Sequence, residues 1–253
     1  MPFWIEAACA CNTGRIRKNN EDNFFFDGRC LEENHQSLEC PLTMTKALRD
    51  DICVAIMDGM GGENFGECAS FTAAECLKTS KDRLKGFLVP EERFLIETAQ
   101  LINAAVVAKA KELQTIHIGS TLVMLCFTKS HVYSCNLGDS RSYMLREGIF
   151  LQLSEDHVEE SRADKRKKPR LTQYLGIDPE EVLIEPYITR GKLRRNDQYL
   201  LCSDGLTDML DNSEIVSIMI SAKNAEESAT NLIHAALEKG GKDNITAIVC
   251  RIL

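Results

Sequence analysis

Four carboxylate sites in the 253-residue chain stand at the edges of apolar runs and could share one chemistry. Asp58 closes the run DICVAIMD (51–58) and is followed by Gly59, Met60, Gly61 and Gly62. Glu21 and Asp22 stand before NFFF (23–26), Asp204 and Gly205 follow YLLCS (199–203), and Asp243 and Asn244 precede ITAIVC (245–250). A short apolar run ended by Asp and Gly predicts a buried strand whose end presents the carboxylate, while glycine lets backbone approach whatever that carboxylate holds. One Asp-Gly pair alone is ordinary turn chemistry. Four such sites gathered by folding form a nest of like charges, and crowded carboxylates stay ionised only beside cations. Oxygen-only ligands select hard ions, Mg2+ or Mn2+, over zinc.

The elements that must position these groups alternate in type. Phe3 to Cys11 reads as a first strand and Asn23 to Asp27 as a second, with a turn through Asn12, Thr13 and Gly14 and an irregular excursion over 28–50. Gly66 to Lys81 is predicted helical, with Ala69, Ala73, Cys76 and Leu77 on an inward stripe. Pro90 opens a second helix to Leu113, with Phe94, Leu95, Leu101, Ile102 and Ala105 inward. Residues 119–153 read as four short strands in an antiparallel meander. Further strands are predicted around Val182–Ile188, at Gln198–Ser203 and at Ile245–Ile252. Between them lie helices 214–222 and 225–239, N-capped by Ser213 and Asn224, the second stopped by Gly240 and Gly241. Helices grouped between runs of antiparallel strands indicate an α+β class.

Composition narrows the function. The apolar content of 44% supports a sizeable core, and no Pro/Gly/Ser linker divides the chain, so a single domain over 1–253 is expected. A net charge of −8 gives no basic field for nucleic acid. The eleven cysteines form no CxxC pair. Cys53, Cys126, Cys135, Cys202 and Cys250 sit in apolar runs and read as small core residues, and a Cys9–Cys11 bond would be strained. No run reaches ~18 apolar residues, so no membrane contact and a reducing, cytoplasmic location are expected.

In their order along the chain, TGRIRKNNEDNF (13–24), MDGMGGENFGECAS (57–70), GSTLV (119–123), NLGDSRSY (136–143), LSEDH (153–157), LTQYLGI (171–177), LLCSDGLTDML (200–210) and GGKDNITAIV (240–249) resemble the metal-dependent PPM family, the type 2C serine/threonine protein phosphatases, in its bacterial-looking branch. The resemblance implies a four-layer αββα sandwich of two antiparallel β-sheets flanked by helices. It implies two core ions, Mn2+ or Mg2+. Two such ions ~4 Å apart can share a water, lower its pKa and hold a phosphoryl oxygen for in-line attack. By motif, Asp58 is the bridging carboxylate with the Gly59 carbonyl beside it, and Asp204 and Asp243 complete one ion. Glu21 serves the other, with Asp22 holding its waters. Arg17, five residues before Asp22, matches the arginine that grips the substrate phosphate. Asp139 matches a position associated with a third, weaker metal, against the alternative of a plain β-turn.

Two departures bear on mechanism. Met60 stands where many eukaryotic members place a histidine proposed as general acid, so protonation of the leaving alkoxide must come from elsewhere. His157 is a candidate, against a structural histidine opening a loop. The segment after it, 158–170, is a short flap carrying Arg162, Lys165, Arg166, Lys167, Lys168 and Arg170; it reads as a solvated loop or as a surface for acidic substrate. The function expected is hydrolysis of phosphoserine and phosphothreonine in proteins, with a cognate serine/threonine kinase and its substrates as partners, no nucleic acid or membrane, and a monomer. A catalytically silent binding module and a phosphatase of small phosphorylated molecules are the alternatives. All five acids (Glu21, Asp22, Asp58, Asp204, Asp243) are present, which argues against the silent form.

Overall fold

The structure is a computed structural model and describes residues 2–61, 65–80, 91–115, 118–159 and 168–253. Two antiparallel sheets lie between two layers of helices. The first sheet has the order β3 (Leu42–Ala47), β1 (Trp4–Asn12), β12 (Ile245–Ile252), β11 (Gln198–Cys202), β8 (Arg141–Arg146), β9 (Ile149–Gln152). The second runs β10 (Tyr187–Lys192), β7 (His131–Leu137), β6 (Leu122–Phe127), β4 (Ile52–Gly61), β2 (Asp22–Phe25), with β5 (Ile118–Ser120) paired to the far end of β4.

Alternation along the strands builds three apolar layers. Ile5, Cys9, Phe24, Ile56, Val123, Leu125, Tyr199 and Ile248 point between the sheets. The opposite faces of β4 and β6, through Ala55, Met57, Leu122 and Met124, pack against α1 (Gly66–Ser80) and α2 (Glu91–Glu112). The outer face of the first sheet, through Ala8, Leu200, Ala247 and Val249, is covered by the short α3 (Asp204–Thr207), α4 (Asn212–Ser221) and α5 (Ala225–Glu238). The αββα order expected from the family resemblance is therefore present.

Several boundaries differ from the sequence reading. The stretch 28–50 contains β3, an edge strand with only Met44 buried, so its apolar signal is weak. The predicted meander crosses between layers: β6 and β7 belong to one sheet, β8 and β9 to the other. The strand placed around Val182–Ile188 begins only at Tyr187, and Val182 and Leu183 are exposed. On α2 the buried stripe is Leu95, Ala99, Ile102, Val106 and Ala110, whereas Phe94, Leu101 and Ala105 are half-buried. Helix α4 is capped by Asp211, not Ser213: Glu214 N donates to Asp211 and Asp211 N donates to Glu214, a reciprocal pair that outcompetes a lone hydroxyl. Asn224 caps α5 as expected. Cys53 and Cys126, read as core residues, face each other in the β4–β6 register and form a disulfide; Cys9 and Cys11 are free.

Candidate metal centre

The strand β4 brings the first carboxylate into place, but it does not end there. Beyond Asp58 the chain continues extended to Gly61 because Gly59, Met60 and Gly61 pair with Ser120, Gly119 and Ile118. Gly59 N donates to Glu21 O at 3.0 Å, and a Cβ at Gly59 would collide with the Gly66 carbonyl at the start of α1. Glycine is what allows three chain segments to cross at one point.

Across the register, Asp22 is the direct partner of Asp58. Asp22 is fully buried; its Oδ2 accepts from Ser203 Oγ and Thr246 Oγ1, both at 2.7 Å, while its Oδ1 has no hydrogen-bond partner among the described residues. Burial pushes its pKa up to about 6, against the two hydroxyl bonds, which favour the charged form. Burial first, then the neighbouring Asp22 and Asp139 charges, holds the Asp58 carboxyl well above the usual carboxylate range. Glu21 is raised by burial and then by Glu67, and Asn19 Nδ2 donates to both glutamates at 3.3 and 3.2 Å. Asp139, in the turn between β7 and β8, is likewise raised by burial.

Asp204 stands at the start of α3 and is only 7% exposed. Asp243 lies just before β12, where Gly205 passes so close to Asn244 O that a side chain would not fit. The loop 13–21 is locked onto this corner by Asn244, whose Nδ2 donates to Thr13 O and Asn19 O and whose Oδ1 accepts from Glu21 N, at 2.8–2.9 Å. Asn244, Ser203 and Thr246 belong to the site's framework and were not singled out from sequence. Asn244 stood next to Asp243 in the same motif, which was the one signal available.

All of the acids expected from sequence thus lie at one end of the two sheets. Two cations lie among them. Arg17 Nη2 donates to Asp243 Oδ2 at 2.7 Å, and Lys168 Nζ pairs with Asp204, with Asp208 at 3.9 Å. The opposing charge of Lys168 also reaches Asp58 and Asp139. Of the basic flap, 160–167 lies outside the described residues; for Lys168 the solvated-loop reading is replaced by contact with the acidic site. Among the described residues no three acidic, thiol or imidazole side chains close around a single point. The unpartnered Asp22 Oδ1, the buried excess of carboxylate and the seated ammonium nevertheless show a site that takes positive charge, and an all-oxygen donor set fits Mg2+ or Mn2+. His157 Nδ1 accepts from Gly138 N at 3.2 Å and so fastens the Asp139 turn, and burial lowers the pKa of its ring.

The profile of the family described as Protein phosphatase 2C matches residues 12–173 and 161–245. The chain belongs to the protein phosphatase 2C family. Among its relatives is the serine/threonine phosphatase stp of Listeria innocua, 33% identical over 260 residues, spanning 97% of this chain and 95% of that protein. The serine/threonine protein phosphatase PstP of Mycobacterium tuberculosis is 29% identical over 98% of this chain, which corresponds to 45% of PstP. The solved catalytic domain of PstP, in complex with two manganese ions, superposes with a TM-score of 0.79 at 28% identity and 99% coverage of both chains. PppA of Pseudomonas aeruginosa superposes with a TM-score of 0.76 at 25% identity, covering 98% of each chain.

Proposed function

We propose that this protein phosphatase 2C family member is a divalent-metal-dependent serine/threonine protein phosphatase, folded as one domain and hydrolysing phosphomonoesters on proteins. The observation that carries the reading is the gathering of Glu21, Asp22, Asp58, Asp204 and Asp243, from four separate segments, at the end of the sheets where Asp22 and Asp58 pair across the register. The two manganese ions of the PstP structure support two here. Asp58, the Gly59 carbonyl, Asp204 and Asp243 would hold one and share Asp58 with the other, held by Glu21, with Asp22 behind it and Asp139 offering a third position. Bound there, such cations supply Lewis acidity toward a phosphoryl oxygen and lower the pKa of a coordinated water.

The chain's own residues supply the rest. Arg17 is half-exposed and, among the described residues, ion-paired with Asp243, so its planar fork can exchange that carboxylate for the equatorial oxygens of a phosphate. Charge that develops on those oxygens then meets a fixed donor. Ser203 and Thr246 fix Asp22 from behind and leave its other oxygen facing the centre. Met60 contributes no proton and His157 Nδ1 is engaged with Gly138, so the leaving alkoxide takes its proton from water or another group of the centre. A phosphoserine or phosphothreonine protein is the substrate class, a cognate serine/threonine kinase the partner, and the monomer the working form. Release of phosphate from a phosphothreonine peptide and from a small aryl phosphate, with Mn2+ and after chelation by EDTA, tests this. Turnover should need the metal and favour the peptide; full turnover in EDTA, or turnover of the aryl phosphate alone, would overturn it.

A further inference from the structure

Three sequence motifs, GSTLV (119–123), NLGDSRSY (136–143) and LSEDH (153–157), contribute one residue, Asp139, to the ligand set, yet they meet in a single buried network. Thr121 is its centre, 3% exposed in the step between β5 and β6. Its Oγ1 accepts from the backbone N–H of Asp58 at 3.0 Å and pairs with Ser140 Oγ at 2.7 Å. Its backbone N–H returns to Asp58 O at 2.8 Å, where Ser120 Oγ also donates at 3.1 Å. The Thr121 methyl occupies the space beside Gly138, 2.7 Å from where a Cβ on that residue would stand. The hydroxyl of this side chain therefore touches both the Asp58 strand and the turn that carries Asp139, and its methyl lies against that turn.

The turn is held equally from behind. Gly138 has φ +98° and donates to His157 Nδ1, while His157 N donates back to Gly138 O at 3.0 Å. Asn136, fully buried, fastens Glu155 in both directions, accepting from its N–H and donating to its carbonyl at 3.1 and 2.7 Å. Asp139 is thus flanked by two anchored residues, Gly138 on His157 and the Thr121 methyl, and Ser140 on the Thr121 hydroxyl. A buried hydroxyl pair has no water to exchange with, so its length is kept. Oxygen ligands to Mg2+ tolerate only a narrow distance, ~2.0–2.1 Å, and a fixed spacing between carboxylate turns is what such an ion requires.

We propose that Thr121 is a positioning residue for the metal centre: through its hydroxyl pair with Ser140 it sets the separation between the Asp58 strand and the Asp139 turn. The inference rests on the metal-dependent reading above. Thr121→Val keeps the shape of the side chain and removes the hydroxyl; Thr121→Ser keeps the hydroxyl and removes the methyl. The experiment is calorimetric titration of the full chain with Mn2+, with kinetics on an aryl phosphate and thermal unfolding in EDTA.

Thr121→Val should weaken Mn2+ binding by roughly tenfold to a hundredfold, the cost of an unsatisfied buried donor, and lower kcat while KM moves by less than about twofold. Thr121→Ser should stay within about threefold of wild type on both, and adding Ser140→Ala to Thr121→Val should cost little more, because both remove one interaction. Unchanged Mn2+ affinity in a folded Thr121→Val protein overturns the inference, as does Thr121→Ser impaired as deeply as Thr121→Val, which would assign the effect to the methyl. Should Thr121→Val fail to fold, Ser140→Ala alone decides: weakened Mn2+ binding supports the inference and unchanged binding overturns it. A wild-type protein that binds no Mn2+ would overturn the metal reading itself, and this inference with it.

Discussion

Lys168 and Arg17 each rest a positive charge on a carboxylate assigned to a divalent ion, but they stand in different relations to the reaction. Lys168 is half-exposed and pairs with the nearly buried Asp204, so it would compete with an ion held by that carboxylate. A pair with one solvated partner is worth at most ~1 kcal/mol, so Lys168→Ala should tighten Mn2+ binding by about twofold to fivefold. Looser binding in that variant would show that the amine assists loading. Arg17→Ala should cost about 2–4 kcal/mol in kcat/KM, the loss of one charge-stabilising donor, which steady-state kinetics at saturating Mn2+ would register. At this scale the acids of the centre were legible, because Asp58, Asp204 and Asp243 each sit in a motif of fixed order. Lys168 was not legible: a basic run looks the same whether its end faces solvent or a carboxylate.

At the level of elements, the centre depends on close crossings that only glycine permits. Gly59 passes beneath the Gly66 carbonyl and Glu21, whereas Gly148, in the β8–β9 turn, has open space where a Cβ would stand despite φ +81°. Gly59→Ala should therefore cost about 3 kcal/mol or more and abolish activity, since the clash is with backbone. Gly148→Ala should cost only about 1–2 kcal/mol, the strain of a left-handed residue, and leave activity intact. Chemical denaturation and turnover of both variants separate the two, and equal losses would contradict the crossing. The strands that hold these glycines could be read from sequence because β4, β11 and β12 are uninterrupted apolar runs. The edge strand β3 could not, since one buried Met44 in six residues leaves little pattern. Nor could the swap of layers between β7 and β8, which is fixed by contacts far apart in the chain.

For the whole molecule, the apolar layer between the two sheets holds them together, and the acids collect where both sheets end. Burying Asp22 and Asp58 without cations is unfavourable, as their raised pKa values record. A bound ion removes that cost from the folded state only. At about a hundred times its Kd, Mn2+ should add ~2.7 kcal/mol and raise Tm by about 5–10 °C over the chelated protein. Thermal scans in Mn2+ and in EDTA that coincide would contradict a centre built into the fold. The layered architecture was readable through family resemblance and not through periodicity, because strand and helix patterns do not say which faces meet. The central claim, that the acids hold metal while Arg17 serves the substrate, is tested most directly by one calorimetric Mn2+ titration run on wild type, Asp204→Asn and Arg17→Ala. Asp204→Asn should lose Mn2+ affinity by orders of magnitude, because a charged ligand becomes neutral, and Arg17→Ala should bind as wild type does. Loss of metal in Arg17→Ala, or undiminished binding in Asp204→Asn, would contradict the account.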